Sequence, residues 1–171
     1  MTDAAAVSAH FLRSQESSWA DTFKTNVSAP YWMSMALLPL LAKSRQHNPE
    51  ANPLVIPVTS VAGALKGSTG GQFSYAASKA ASTHLARMLA TTFKDTGVRV
   101  NTIAPGVYPS EMNPIKASDA NPDSGVLPEN PCGRVGADSD IGGTVLFLAS
   151  KAGSYFDGQI LYPDGGKSDS R

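Results

Sequence analysis

The chain has 171 residues, enough for one domain with a buried core, and its 42% hydrophobic against 16% charged residues suits a globular protein and excludes a disordered one. Its 14 basic residues balance 14 acidic ones, so the charge pattern offers neither a basic stripe for nucleic acid nor an acidic tail. The single cysteine, Cys132, excludes an internal disulfide framework and fits a reducing compartment, where it reads as an incidental thiol.

The first ten residues lack a basic segment followed by an apolar core, so no signal peptide is expected. The longest apolar stretch, residues 36–42, is too short to span a bilayer and contains Pro39. A cytoplasmic location without a membrane partner is the expectation. A first helix is expected over 19–46, where Trp19, Phe23, Val27, Tyr31, Met35, Leu38 and Leu41 recur at helical spacing. Pro30 and Pro39 should bend or divide it. A loop at 47–53 leads to a short β-branched run, 54–60, that reads as a buried strand, with Pro57 unable to donate to a ladder. A glycine-rich loop covers 63–71.

The second long helix is expected over 75–94, with Ala77, Ala81, Leu85, Met88, Leu89 and Phe93 near one face, and Gly97 closing the unit. Residues 98–104 read as the next strand, ended by Pro105 and Gly106. An irregular region rich in Pro, Asn, Ser and Asp follows at 107–136, long enough to act as a lid over something small and moderately apolar. Asp138, Ser139 and Asp140 open a third helix over 141–150 with an oxygen-bearing cap, and 158–166 supplies a last short strand and turn. Helices alternating with short apolar strands imply an α/β fold with a parallel sheet and right-handed crossovers. The whole of 1–171 is expected to form one domain, with 1–16 and 167–171 flexible.

Tyr75 and Lys79 carry the chemical signal. They stand four residues apart at the start of the second helix, so both side chains leave the same face. An ammonium near a phenol favours the phenolate, and such a phenol gives or takes a proton at a carbonyl or alcohol oxygen. Ser60, at the end of the apolar run, is placed to donate a hydrogen bond to the same oxygen. Other candidates fall away. His10, His47 and His84 show no metal spacing, so no metal is expected. Asp138 and Asp140 read as helix caps rather than a carboxylate pair, and Trp19, Phe23, Tyr31 and Trp32 as core or interface.

These pieces, in this order from Trp19 to Gly166, resemble the short-chain dehydrogenase/reductase family. Asn26 matches the family's helix asparagine, which binds a water in a proton relay. Ser60 matches the serine that orients the substrate oxygen, Tyr75 the acid/base, and Lys79 the lysine that tunes it and holds the nicotinamide ribose. Residues 101–106, with Pro105 and Gly106, match the strand and turn beside the nicotinamide, and Ser110 stands where a threonine often contacts the carboxamide. Residues 133–136, 145–149 and 158–166 match C-terminal landmarks. The resemblance implies the C-terminal half of a partial Rossmann-like fold, with a parallel sheet of about three strands and flanking helices. By family position, Tyr108, Met112 and Tyr155 would line a substrate pocket.

Two departures shape the expectation. Ser60 and Tyr75 lie fifteen positions apart, slightly more than in many members, a length the glycine-rich loop can absorb. The family also opens with a nucleotide-binding half, and the eighteen residues before Trp19 cannot hold a βαβ unit of about 30 residues. Gly63, Gly67 and Gly70 mimic a phosphate loop, but their position between Ser60 and Tyr75 makes them a substrate-side loop. Remnant nicotinamide contacts at Lys79, Pro105, Gly106 and Ser110 would leave little or no NAD(P) affinity in this chain alone. The leading expectation is a cofactor-independent isomerase, dehydratase or cyclase acting on a small carbonyl compound. The alternatives are an NAD(P)H-dependent reductase, as a fragment or with a nucleotide site supplied by a partner, and a non-catalytic assembly or binding protein. An unpartnered strand edge at 54–59, blunted by Pro53 and Pro57, should recruit another chain, and the resemblance implies pairing through the helices 19–46 and 75–94, so a homodimer or higher oligomer is expected.

Overall fold

The computed structural model describes residues 3–48, 50–67, 70–111 and 130–168. Met112 lies outside them. Helix α1 (Ala4–Phe11) occupies part of the segment expected to be flexible. Asp3 caps it by accepting from the Ala5 N–H, and Phe11 packs edge-on against Phe73 with ring centroids 4.9 Å apart.

Helix α2 (Glu16–Phe23) runs through a π-helical turn (Lys24–Ser28) into α3 (Ala29–His47). The cause is in the sequence. Pro30 has no N–H to give the carbonyl of Asn26, four residues earlier, and its ring crowds that carbonyl. The helix widens instead, and the Ala29 N–H bonds to the Lys24 carbonyl five residues back. One face of α3, carrying Tyr31, Met35, Leu38, Leu41 and Ala42, packs on the core.

Strand β1 (Leu54–Val55) pairs in parallel with β2 (Arg99–Val100), and β3 (Thr102–Ile103) with β4 (Ile160–Leu161). Val58 adds an isolated parallel bridge to Ile103. Three chain segments therefore lie side by side, as an α/β fold of about three parallel strands requires. Pro57 explains why β1 stops early. Its carbonyl accepts from the Ile103 N–H at 3.2 Å, so residue 57 faces the ladder, where its missing N–H leaves a gap. Pro53 faces inward too, accepting from the Arg99 N–H at 3.0 Å. The expectation that these prolines blunt the outer edge is thus corrected: by strand alternation, the even-numbered residues Leu54, Ile56 and Val58 turn their backbone outward.

Helix α4 (Phe73–Phe93) ends in a 3-10 turn closed by Gly97 in the left-handed conformation, φ 75°. Its inner face, Ala86, Leu89, Ala90 and Phe93, forms the core with Val98 and Val100. Phe93 is completely buried. Helix α5 (Asp138–Ala149) starts three residues earlier than expected, and its cap comes from inside the helix. Asp140 accepts from the Ala137 N–H at 2.8 Å and forks onto Arg134 at 2.7 and 3.0 Å. Those bonds, Arg134 first, hold the Asp140 carboxyl down at about 2.

Arg99 ties α5 to the sheet. It is 8% exposed, and its guanidinium donates to the carbonyls of Leu148, Gly153 and Phe156 and to Asn52 Oδ1. Desolvation lowers its pKa from the ordinary arginine value, while the Leu148 carbonyl in the last turn of α5 offers the negative end of the helix dipole. Asn101, wholly buried between β2 and β3, donates to the Phe156 carbonyl and accepts from the Gln159 N–H. Among the described residues no helix is long and apolar enough to cross a membrane.

Candidate active site

Ser60 follows the strand segment and caps a 3-10 turn (Val61–Gly63). Its Oγ accepts from the Ala62 N–H at 3.1 Å, which leaves the hydroxyl hydrogen to donate elsewhere. Gly63 lets this turn lie directly on α4. A Cβ there would sit 2.6 Å from the Ala80 nitrogen and 2.7 Å from the Lys79 carbonyl carbon. Gly63 is therefore a close-packing glycine, and the serine end of the sheet is clamped to the helix that carries Lys79.

Tyr75 stands in the first turn of α4 and Lys79 one turn later. The Lys79 ammonium lies over the Tyr75 ring, 5.6 Å from its centroid, and donates to the Val58 carbonyl at 3.2 Å. That carbonyl is one of the outward-facing groups of the β1 segment. Desolvation by burial lowers the Lys79 pKa from the usual lysine value. Asn26 belongs to the next layer. Its amide donates to Ser78 Oγ at 3.0 Å, and Ser78 Oγ donates to the Tyr75 carbonyl at 2.8 Å. The π-helical turn thus reaches the backbone beneath Tyr75 rather than the cleft itself.

Ser60, Tyr75 and Lys79 line one cleft of about 660 Å³ together with Pro105, Gly106, Ser110 and Tyr108. Val58, Ile103, Ile141 and Val145 give it apolar walls. Tyr108 is not a second acid/base: its hydroxyl donates to the Pro163 carbonyl at 2.9 Å, and desolvation raises its pKa from the ordinary tyrosine value. Gly106 owes its identity to packing, since a Cβ there would stand 2.7 Å from the Asp164 Cα. Asp138 also lines the cleft, at the start of α5. Sequence reasoning merged it with Asp140 as a cap; helix periodicity separates them, because the capping oxygen belongs to Asp140. Tyr155, placed in the pocket by family position, is fully exposed and does not line the cleft. His10, His47 and His84 are exposed and far apart in sequence, and the described residues hold no metal-binding cluster.

A nicotinamide cofactor would find candidate partners in this cleft. The cleft residues Lys79, Pro105, Gly106 and Ser110 suit the nicotinamide riboside. In the glycine-rich segment that leads from the Ser60 turn to α4, Gly63 is spent on contact with α4.

A family model described as enoyl-(acyl carrier protein) reductase matches residues 1–168. The short-chain dehydrogenase/reductase PhomF of Diaporthe leptostromiformis is 36% identical over 152 residues, covering 87% of this chain and 52% of the relative. The 3-oxoacyl-[acyl-carrier-protein] reductase FabG of Escherichia coli (strain K12) is 32% identical over 155 residues, covering 91% and 59%. Among solved structures, a Pseudomonas aeruginosa RhlG/NADP active-site complex superposes with a TM-score of 0.74 at 33% identity, over 89% of this chain and 60% of that one. A putative short-chain alcohol dehydrogenase from Sinorhizobium meliloti 1021 gives a TM-score of 0.76 at 29% identity, over 94% and 60%. The chain thus spans between 52% and 60% of the length of these proteins. With the serine, tyrosine and lysine gathered in one cleft on a matching fold, the chain belongs to the short-chain dehydrogenase/reductase family.

Proposed function

We propose that this chain is an acid/base enzyme for a small carbonyl compound, able to isomerise, dehydrate or cyclise it without a nucleotide. The observation that carries the reading is the convergence of Ser60, Tyr75 and Lys79 on one open, largely apolar cleft. The carbonyl oxygen takes a hydrogen bond from the Ser60 hydroxyl. Tyr75 gives that oxygen a proton, or removes one from the corresponding alcohol or enol. The Lys79 ammonium beside the ring stabilises the negative charge that this transfer creates. Asn26 acts through Ser78 and positions the first turn of α4. A cytoplasmic location goes with this reading.

Hydrogen–deuterium exchange next to the carbonyl of a small ketone, followed by NMR, tests it. The purified chain should accelerate exchange, and Tyr75→Phe should slow it by about 10² or more at unchanged circular dichroism. Equal rates in the two proteins refute the assignment. A second reading is ketone reduction with NAD(P)H when a nucleotide site is supplied by further sequence or by a partner. The FabG and RhlG/NADP relatives favour it. Titration with NADPH separates the two, since micromolar saturation of the isolated chain contradicts the first. Self-association belongs to the same proposal. Met33, Leu37 and Leu40 form an exposed stripe along α3, at 62%, 43% and 67% exposure, and a second copy would cover it. Sedimentation should report a dimer or larger, and a monomer at micromolar concentration refutes it.

A further inference from the structure

We infer that Lys79 is also a nucleophile, and that the cleft takes aldehydes which form an imine on its side-chain nitrogen. This inference rests on the carbonyl-compound reading above and adds a covalent step to it. Two observations on the geometry and one on burial support it. Lys79 lines the cleft together with Ser60 and Tyr75, its nitrogen 5.6 Å from the centre of the Tyr75 ring, so an aldehyde held in this cleft has both hydroxyls and the amine among its neighbours. Among the described residues no carboxylate pairs with Lys79, and the one hydrogen bond of its nitrogen goes to the Val58 carbonyl. Burial also favours the neutral amine, which is the reactive form. Lys24, Lys43, Lys66, Lys94 and Lys151, by contrast, are exposed.

The step balances with the groups present. The Lys79 lone pair forms the N–C bond as the carbonyl π bond opens, and the oxygen collects the proton released by nitrogen, giving a carbinolamine. Tyr75 protonates the hydroxyl, the C–O bond breaks, water leaves, and the nitrogen electrons close the C=N bond. Aldehyde, amine and the Tyr75 proton become protonated imine, water and the Tyr75 phenolate, with no change of oxidation state. The protonated imine keeps one N–H, and the Val58 carbonyl that now accepts from the ammonium is in place to accept from it.

Butanal with sodium cyanoborohydride tests the inference, because hydride added to the imine carbon fixes the adduct as a secondary amine. The full chain is treated at neutral pH, and intact mass is followed by peptide mapping. One butyl group should appear first and predominantly on Lys79. Lys79→Arg should remove that adduct, and Tyr75→Phe should slow its formation by about a hundredfold while labelling of Lys94 is unchanged. Label spread over the exposed lysines, or none on Lys79, overturns the inference. If ketone exchange still depends on Tyr75 in that case, the acid/base reading survives without the covalent step; if neither is seen, both fall.

Discussion

Replacing Arg99 by methionine keeps the apolar stem and removes the guanidinium, which sits 8% exposed beneath α5. Four bonds disappear: to Asn52 Oδ1 at 2.5 Å, to Gly153 and Phe156 carbonyls at 2.9 and 2.8 Å, and to the Leu148 carbonyl at 3.0 Å. The Phe156 carbonyl keeps the Asn101 amide and the Gly153 carbonyl keeps the Phe156 N–H, so only the Leu148 carbonyl is left without a donor, at about 1–3 kcal/mol; two further bonds lost at about 0.5–1.5 kcal/mol each bring the gross loss to about 2–6 kcal/mol. Relief from burying a cation offsets part of this, so we expect a net loss of about 2–4 kcal/mol. In a chain of this size that lowers Tm by about 4–16 °C. Urea denaturation followed by circular dichroism measures it. The variant should also lose cleft function beyond its loss of stability, because α5 carries Asp138, Ile141 and Val145 into the cleft wall. Arg99→Lys should rescue little, since one ammonium cannot span four divergent acceptors. A methionine variant within about 1 kcal/mol of the parent would refute the view that Arg99 anchors α5.

Ser60→Ala should slow ketone exchange by about a hundredfold, with the fold retained by circular dichroism, because it removes the donor to the developing oxyanion. Gly63→Ala should lower both stability and exchange, since its Cβ would stand 2.6 Å from the Ala80 nitrogen and push the Ser60 turn off α4; full activity would show that the turn yields freely. An NMR titration should find the Asp140 carboxyl at about 2, and Arg134→Met should raise it. The sign follows: the Asp140 contribution to stability is complete above its ordinary value of 3.8 and is lost as pH falls through about 2.

Tyr75, Lys79 and Ser60 were legible because each is tied to a simple local pattern: a four-residue helical spacing and the end of a β-branched run. The two long helices and the inner faces of α3 and α4 were legible for the same reason, since their apolar residues repeat with the helical period. What escaped the sequence was set by partners distant along the chain. Arg99 looks like a solvated charge inside a strand, and only the carbonyls at the end of α5 explain its burial. Pro57 announced a break in the ladder, but which edge it faces depends on register with Ile103. Ala4–Phe11 is alanine-rich and carries little amphipathic pattern, so its helix rests on the Asp3 cap and the Phe11–Phe73 contact. The π-helical turn had a local signal after all, in Pro30 four residues beyond Asn26.

That widened turn also acts as a vernier between two helices. Ser78 Oγ receives the Asn26 amide while holding the Tyr75 carbonyl, so the phase of α2–α3 about its own axis is read out at the start of α4. Adding or removing one residue between Asn26 and Tyr31, where the core-packed face of α3 begins, would swing the amide by about 100° and break the link, whereas the same change beyond His47 would leave it untouched. Tolerance to insertion should therefore fall off sharply along this segment, although no residue in it lines the cleft.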